Sequence, residues 1–483
     1  MRTASYRAAS LAWFAACCAG CTSSPASVPV VATDLVVVQL PAASVAGERA
    51  ERLDLDARYP PGSRVIVVRQ GRPSTEWPVL SEGFEAAGAP AVSPDGATVL
   101  FAGRQTPDSR WAVYEVRAHG SKPKKVIDLD RDCGDSAYLA GNRVVVACRD
   151  AGAASASGHR WSLYTTSRAG AGFERITFGV DSAFDPFPLR DGRILFSMRK
   201  RDGAALFTIN PDGSMIEPFL GSHGAPATRS RPRETTDGGV VFIATDPDGA
   251  ARLQRVEMRR PLATERTLSF SLDAVAPRAL VDPRSAEPLA DGALLLTGRP
   301  AFDTGLASTS AVFRTIPGST ELQPVFDDPA WDEVEAVSLS PVEPPRGKPS
   351  GLRPNQRNGK LILYDANRSD GVVGPPSGGP RPTALAVQTL FAGQLRTLGN
   401  VPIEADGSLF VEVPSDRPIR VRSLDARGAE ISTSDWFWVR AGETRACFGC
   451  HESRESAPVN RVIRALAQRP RSLAGVTNEA SAR

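Results

Sequence analysis

The chain has little that builds long helices: only four methionines, and no long stretches of Leu, Ala, Glu and Lys at helical period. It also lacks a surplus of charge, since 57 Lys and Arg stand against 54 Asp and Glu, a net +3. The first absence argues against a helical fold. The second leaves no broad field for collecting nucleic acid, so binding to polyanions is excluded as a role. Histidine is as scarce as methionine, four in all, so every proposal for an imidazole ligand has few residues to draw on. Abundant instead are glycine (42) and proline (40), the residues of tight turns between short strands, and the expected class is all-β. One hydrophobic core rarely serves 483 residues, so two or three domains are expected.

The first residues are set apart from the fold. Arg2 and Arg7 precede an apolar run over 8–20 that ends at Cys21, too short for an ordinary span of about 20 residues and shaped like an export signal. Residues 1–21 resemble a bacterial lipoprotein signal with Cys21 as the lipid-attachment residue. Cys18 stands where such signals usually carry Leu. The expected location is the periplasmic side of the cell envelope, held to the membrane by the N-terminal lipid; the alternative is cleavage and release into the periplasm.

The seven cysteines fall into three groups. Cys17, Cys18 and Cys21 belong to the signal. Cys133 and Cys148 flank an apparent hairpin and are either a disulfide or two separate buried thiols. Cys447 and Cys450 stand near the end of the chain.

Over 89–325 the sequence cycles through a turn, an apolar strand, a polar connection and a second strand, with a period near ~40 residues. Ser93-Pro94-Asp95-Gly96 leads into Val99-Leu100-Phe101, Asp191-Gly192 into Ile194-Leu195-Phe196, Asp237-Gly238 into Val240-Val241-Phe242, and Asp291-Gly292 into Leu294-Leu295-Leu296. Gly141-Asn142 before Val144-Val145-Val146 is a looser copy. The Asp-Gly pairs suit two-residue hairpin turns, in which glycine reaches positive φ without steric cost. Closure into a ring removes exposed sheet edges, and the Ser-Pro-Asp-Gly turn with its apolar strand resembles the TolB-type β-propeller repeat. The expectation is a propeller over 33–370 with six blades, or seven. Its sixth unit would run over 331–370 and include Leu361-Ile362-Leu363-Tyr364; the strands at Leu35 or Val65 would help close the ring.

Residues 371–382 are rich in Gly, Pro and Ser and read as a linker. Over 383–470 a small β-sandwich is expected from the alternating strands around Val401, Leu409-Phe410-Val411 and Ile419-Arg420-Val421. Trp436-Phe437-Trp438 reads as sandwich core or, less simply, as a platform for a planar cofactor. Val459, Val462, Ile463 and Leu466, bracketed by Pro458 and Pro470, predict a short amphipathic helix. Residues 471–483 read as a disordered tail.

Cys447-Phe448-Gly449-Cys450-His451 is the sharpest motif. Two thiols spaced by two residues can meet the two vinyl groups of a porphyrin, and the adjacent imidazole is placed to ligate the iron. A chance C-x-x-C-H here has a probability on the order of one in a thousand. A zinc site would need further ligands, and His119, His159 and His223 are isolated in sequence. A thioredoxin-like dithiol would open a helix in a βαβ setting, which this stretch does not offer. The expected cofactor is therefore one covalent haem c, with Cys447 and Cys450 as thioether residues and His451 as axial ligand.

From 331 to 452 the sequence resembles the hydrazine synthase alpha subunit middle-domain family. The matching residues are Val401-Pro402-Ile403-Glu404 with Asp406-Gly407-Ser408, Val413-Pro414 with Arg417-Pro418, Leu424-Asp425, Gly442-Glu443 and Cys447 to Glu452. The resemblance implies a propeller followed by a c-haem domain on the outer side of the cytoplasmic membrane. It does not imply hydrazine synthesis, since that enzyme is a multi-subunit, multi-haem complex and this sequence holds one haem motif.

Three roles fit. Electron transfer would need a second axial ligand, for which the candidates are His119, His159, His223, Met198, Met215 and Met258, each more simply an ordinary propeller residue. A redox enzyme would leave the iron open. A binding or scaffold lipoprotein would use the propeller as its platform. The expectation is a monohaem c-type cytochrome-like protein exchanging electrons with a redox partner protein or a small-molecule donor or acceptor.

Overall fold

A computed structural model describes residues 33–42, 54–150, 160–222, 226–272, 279–300, 309–353, 355–368, 379–391, 393–449 and 460–473. Nearly all of the described regular structure is strand; the two α-helices, Leu55–Arg58 and Pro261–Thr264, have four residues each. Short strands follow from the turns. In the first repeat the Gly96 N–H donates to the Ser93 carbonyl at 2.8 Å, Ser93 and Thr98 close the hairpin, and Asp95 caps the Ala97 N–H at 3.1 Å. Gly96 lies at φ 72°. The expected two-residue turn is thus a longer one that ends on a left-handed glycine, and the same Gly N–H to carbonyl bond recurs at Gly192, Gly213, Gly238 and Gly292.

The first sheet contains Ala86–Val92, Thr98–Arg104, Ala112–Arg117 and Lys124–Ile127 in sequential antiparallel order. The second runs Cys133–Leu139, Arg143–Arg149, Trp161–Ser167, Glu174–Arg175, and the third Ala183–Pro188, Ile194–Lys200, Gly203–Ile209, Glu217–Leu220. The fourth, starting at Thr228–Glu234, touches the third through one parallel pairing, Ala204 with Thr228. The fifth starts at Leu280–Pro288. A last sheet joins Trp331–Ser338 to Leu35–Pro41 and Arg64–Val68, so strands from both ends of this region share one ladder. The leading strands pack in succession: 86–92 on 133–139, on 183–188, on 228–234, on 280–288, on 331–338, and 331–338 returns to 86–92. That circuit is a closed, propeller-like ring.

Each leading strand from the first to the fifth sheet carries a bulge with a positive-φ residue: Ala89, Asp135, Asp185, Arg231 and Asp282. The side chains gathered where these strands meet are polar and buried. Arg58 pairs with Asp135 at 2.8 Å, donates to the Tyr59 hydroxyl at 2.8 Å, and Tyr59 and Arg231 both donate to Glu335. The helix Leu55–Arg58 thus delivers Arg58 and Tyr59 into the ring. Burial raises the Tyr59 phenol far above its ordinary range.

Two boundaries differ from the sequence reading. Trp331–Ser338 does belong to the ring, but Leu361-Ile362-Leu363 does not: Asn358–Leu363 pairs with Leu409–Pro414 and Thr444–Cys447. The crossover is the Pro-rich stretch between them, not 371–382, of which 371–378 lie outside the described residues. Proline cannot donate to a ladder, so this stretch runs as a strap across the hairpin turns. Val342 N–H donates to the Pro94 carbonyl at 2.8 Å, Arg346 N–H to that of Arg190 at 3.2 Å, and Ser350 Oγ to Asp212 at 2.7 Å. A Cβ on Gly96 would lie 2.2 Å from the Leu339 carbonyl oxygen.

The second module is a sandwich of that three-stranded sheet and a four-stranded one, in the order Gln394–Pro402, Ala384–Phe391, Ile419–Leu424, Glu430–Thr433. Leu361, Leu363, Leu385, Val387, Val411, Val413 and Ile419 fill it. The expected C-terminal helix is a single 3-10 turn, Arg464–Ala467. Asp406 accepts from the Arg464 N–H at 2.9 Å and Ser408 Oγ from the Ala465 N–H at 3.0 Å, which pins this segment to a turn and leaves Val462 and Leu466 exposed. Arg471 bridges to Val411 and Leu473 is buried in the sandwich core, so the ordered chain extends past 470; residues 474–483 lie outside the described ones. No helix among the described residues is long and apolar enough to cross a membrane.

Candidate functional site

The Cys447-Phe448-Gly449-Cys450-His451 motif begins on an edge strand. Gly442, at φ 74°, turns the chain against Arg353, where any Cβ would meet backbone at 2.6 Å. Thr444–Cys447 then lies parallel to Asn358–Leu363, with Arg445 beside Leu361 and Cys447 beside Leu363. The Tyr364 N–H closes the strand by donating to the Cys447 carbonyl at 2.9 Å. Alternation sets the directions: Thr444 and Ala446 are exposed, whereas Arg445 and Cys447 turn inward with Leu361 and Leu363. Phe448 follows, half exposed, its ring edge-on to Tyr364 at 5.2 Å.

Glu443, just before the strand, is buried. Its carboxylate accepts from the Arg440 N–H at 2.7 Å and from the Met215 N–H of the ring at 2.9 Å. Burial raises its pKa, and those two N–H groups oppose the rise.

Cys447 lines a cleft between the sandwich and the third sheet of the ring. The cleft holds about 200 Å³ and is open at its mouth. Phe207, Ile216 and Pro218 form the ring side, and Leu361, Leu363, Trp436 and Phe437 the sandwich side. The aromatic triplet is split. Trp438 packs in the ring's core rather than the sandwich's, Phe437 packs against the sandwich core, and Trp436 lies in the cleft under the Arg420 guanidinium, 4.9 Å from its centroid.

The remaining site expectations distribute as follows. Cys450 and His451 lie outside the described residues, as do Cys21, His159 and His223. Cys133 and Cys148 face each other across two paired strands of the second sheet and form a disulfide, with sulfurs 2.06 Å apart, and neither lines the cleft. His119 sits on an exposed turn, Met198 is buried in the ring core and Met258 packs on the cluster around Phe242. Among the described candidates Met215 alone is bonded to the module, through its backbone. Among the described residues no group of three or more His, Cys, Asp and Glu is arranged to hold a metal ion. The sequence reading missed Arg445; its signal is a charge at an inward position of the alternation Thr-Arg-Ala-Cys.

Comparison with known proteins is consistent with this layout. Residues 363–452 match the family model described as the hydrazine synthase alpha subunit middle domain. The chain is 22% identical to hydrazine synthase subunit alpha of Kuenenia stuttgartiensis over 81% of its own length and spans 63% of that relative. It superposes on the Kuenenia stuttgartiensis hydrazine synthase structure with a TM-score of 0.75 at 19% identity, covering 90% of this chain and 71% of that one. A TolB from Acinetobacter baumannii aligns with a TM-score of 0.41 at 11% identity, over 60% of this chain and 65% of its own. Residues 363–452 thus match the hydrazine synthase alpha subunit middle-domain family, and the chain as a whole shares the fold of hydrazine synthase.

Proposed function

We propose that this chain is an exported monohaem c-type protein that transfers electrons or carries out redox chemistry, its haem held in the cleft beside Cys447. The observation that carries the reading is the direction of the motif's first cysteine: it turns into an open cleft lined by apolar and aromatic side chains instead of standing out on the surface. When bound, the haem would supply an iron that gains and loses one electron. Cys447 and Cys450 would hold it by thioethers, His451 would ligate the iron, and Phe437, Trp436, Ile216 and Phe207 would keep water from it. The six sheets of the ring are read as six blades, whose third wall completes the cleft. Lipid attachment at Cys21 would place the module at the periplasmic face of a membrane. The name of its relative includes hydrazine synthesis, but the donor or acceptor proposed for this chain is a redox partner of unspecified chemistry.

The test is the absorption spectrum of the full chain produced with haem-maturation machinery, taken oxidised, reduced, and reduced with carbon monoxide. Sharp reduced bands that carbon monoxide leaves unmoved indicate a closed iron and electron transfer. Bands that shift indicate an open iron and an enzyme. A chain without covalent haem refutes the reading and leaves the ring as a binding or scaffold platform.

A further inference from the structure

Arg445 occupies a position where its neighbours are apolar. Its ladder partner is Leu361, 2% exposed, and the next inward residue of its own strand is Cys447, about 7 Å along by strand rise. The Nε and Nη1 atoms of Arg445 are buried and, among the described residues, have no hydrogen-bond partner. The contact that the guanidinium does make is with the Phe437 ring, 5.5 Å from its centroid. The acids nearby make their hydrogen bonds elsewhere. Asp435, which lines the same cleft, is bonded to Lys200 at 2.7 Å, and the Glu443 carboxylate accepts the Arg440 and Met215 N–H groups. Arg420, the other nearby cation, lies over Trp436.

The Glu443 carboxylate attracts Arg445 electrostatically but does not bond its Nε or Nη1; buried donors left without a hydrogen bond cost free energy, and a planar fork of donors is shaped for a carboxylate. We infer that Arg445 is a cofactor-binding residue, and that its guanidinium receives a propionate carboxylate of the haem attached at Cys447. This rests on the haem reading above and adds which residue of the chain neutralises the cofactor's acid edge. The face shared by Arg445 and Cys447 lets one short strand supply both a covalent anchor and a charge. The pair has a consequence for the iron. A cation beside the haem favours the reduced state, and a buried carboxylate paired with arginine stays ionised across neutral pH.

The experiment uses the full chain with haem attached, as wild type, Arg445→Gln and Arg445→Lys, and reads covalent haem content and midpoint potential from pH 5 to 9. The expected result is a lower potential in Arg445→Gln at pH 7. That variant's potential also falls as pH rises through the neutral range, because the unpaired propionic acid now releases its proton there and the added negative charge disfavours the reduced state. Arg445→Lys stays near wild type. If Arg445→Gln attaches no haem, restoration of attachment by Arg445→Lys supports the charge pairing, and failure of both variants overturns it. Identical potentials and pH profiles in all three proteins overturn the assignment of Arg445 while leaving the haem reading intact. Absence of haem from the wild type overturns both.

Discussion

Trp438 donates its indole N–H to the carbonyl of Gly213 at 3.0 Å, joining the sandwich to the ring across 225 residues of sequence. The side chain is 1% exposed and lies in the ring's hydrophobic core. Arg440, two residues on, reinforces the junction through Glu174 at 2.8 Å and over the Phe178 ring at 4.9 Å. Trp438→Ala removes a large buried side chain and orphans a carbonyl. The expected cost is about 3–5 kcal/mol, measured as a lowered denaturant midpoint with both modules affected together. Loss of structure in the sandwich alone would show that the junction does not couple them.

The disulfide between Cys133 and Cys148 closes a loop of 15 residues. In the chain-entropy account a loop of that length stabilises by about 3 kcal/mol. The Cys133→Ser, Cys148→Ser double variant is therefore expected to unfold at a lower denaturant concentration than the oxidised wild type, by roughly that free energy. An equal midpoint would mean that the unfolded chain gains nothing from release.

Glu333 is fully buried on the strand that closes the ring, and Gln39 donates to it at 2.8 Å. Burial pushes its carboxyl up to about 8. The folded protein therefore holds a proton there that the unfolded chain releases near pH 4.5. Its contribution to stability is complete below about pH 4.5 and is lost as pH rises through 8. Glu333→Gln keeps the shape without the titration, so its stability should be flatter than wild type from pH 5 to 8 in denaturant titrations. Parallel profiles for the two proteins would assign the slope to another group.

Arg58 is held by Asp135 and Tyr59 at the meeting point of the leading strands. Arg58→Met strands a buried carboxylate, an expected loss of about 3–5 kcal/mol. Thermal unfolding within a degree or two of wild type would show that the pair is not needed to close the ring.

How far the sequence could be read varies by element. The Asp-Gly turns and the apolar strands after them, such as Val99-Leu100-Phe101 and Val240-Val241-Phe242, are local signals, and both are found where they were expected. Strand Asn358–Leu363 was equally visible as a strand, yet its assignment to the ring was wrong, because an apolar run does not name its ladder partner. The helix expected around Val462 failed for a related reason. Apolar spacing suggested a helix, but Asp406 and Ser408 hold the backbone N–H groups of Arg464 and Ala465 in another conformation. Trp438 read as sandwich core by proximity, and the structure gives it to the ring.

By itself, then, the sequence determined the strand-and-turn texture, the pairing of cysteines into groups, and the Cys447-Phe448-Gly449-Cys450-His451 motif, since each depends on residues close together in the chain. The tertiary structure alone decided that strands Leu35–Pro41 and Trp331–Ser338 share a ladder, and that Arg58, Asp135, Arg231 and Glu335 meet. It also decided that Arg445 faces the cleft with its Nε and Nη1 unbonded among the described residues. Those facts rest on contacts between segments far apart in the chain, such as Leu35 with Ser338, whose register is set by packing and by the burial of polar groups in company, and no local pattern encodes them.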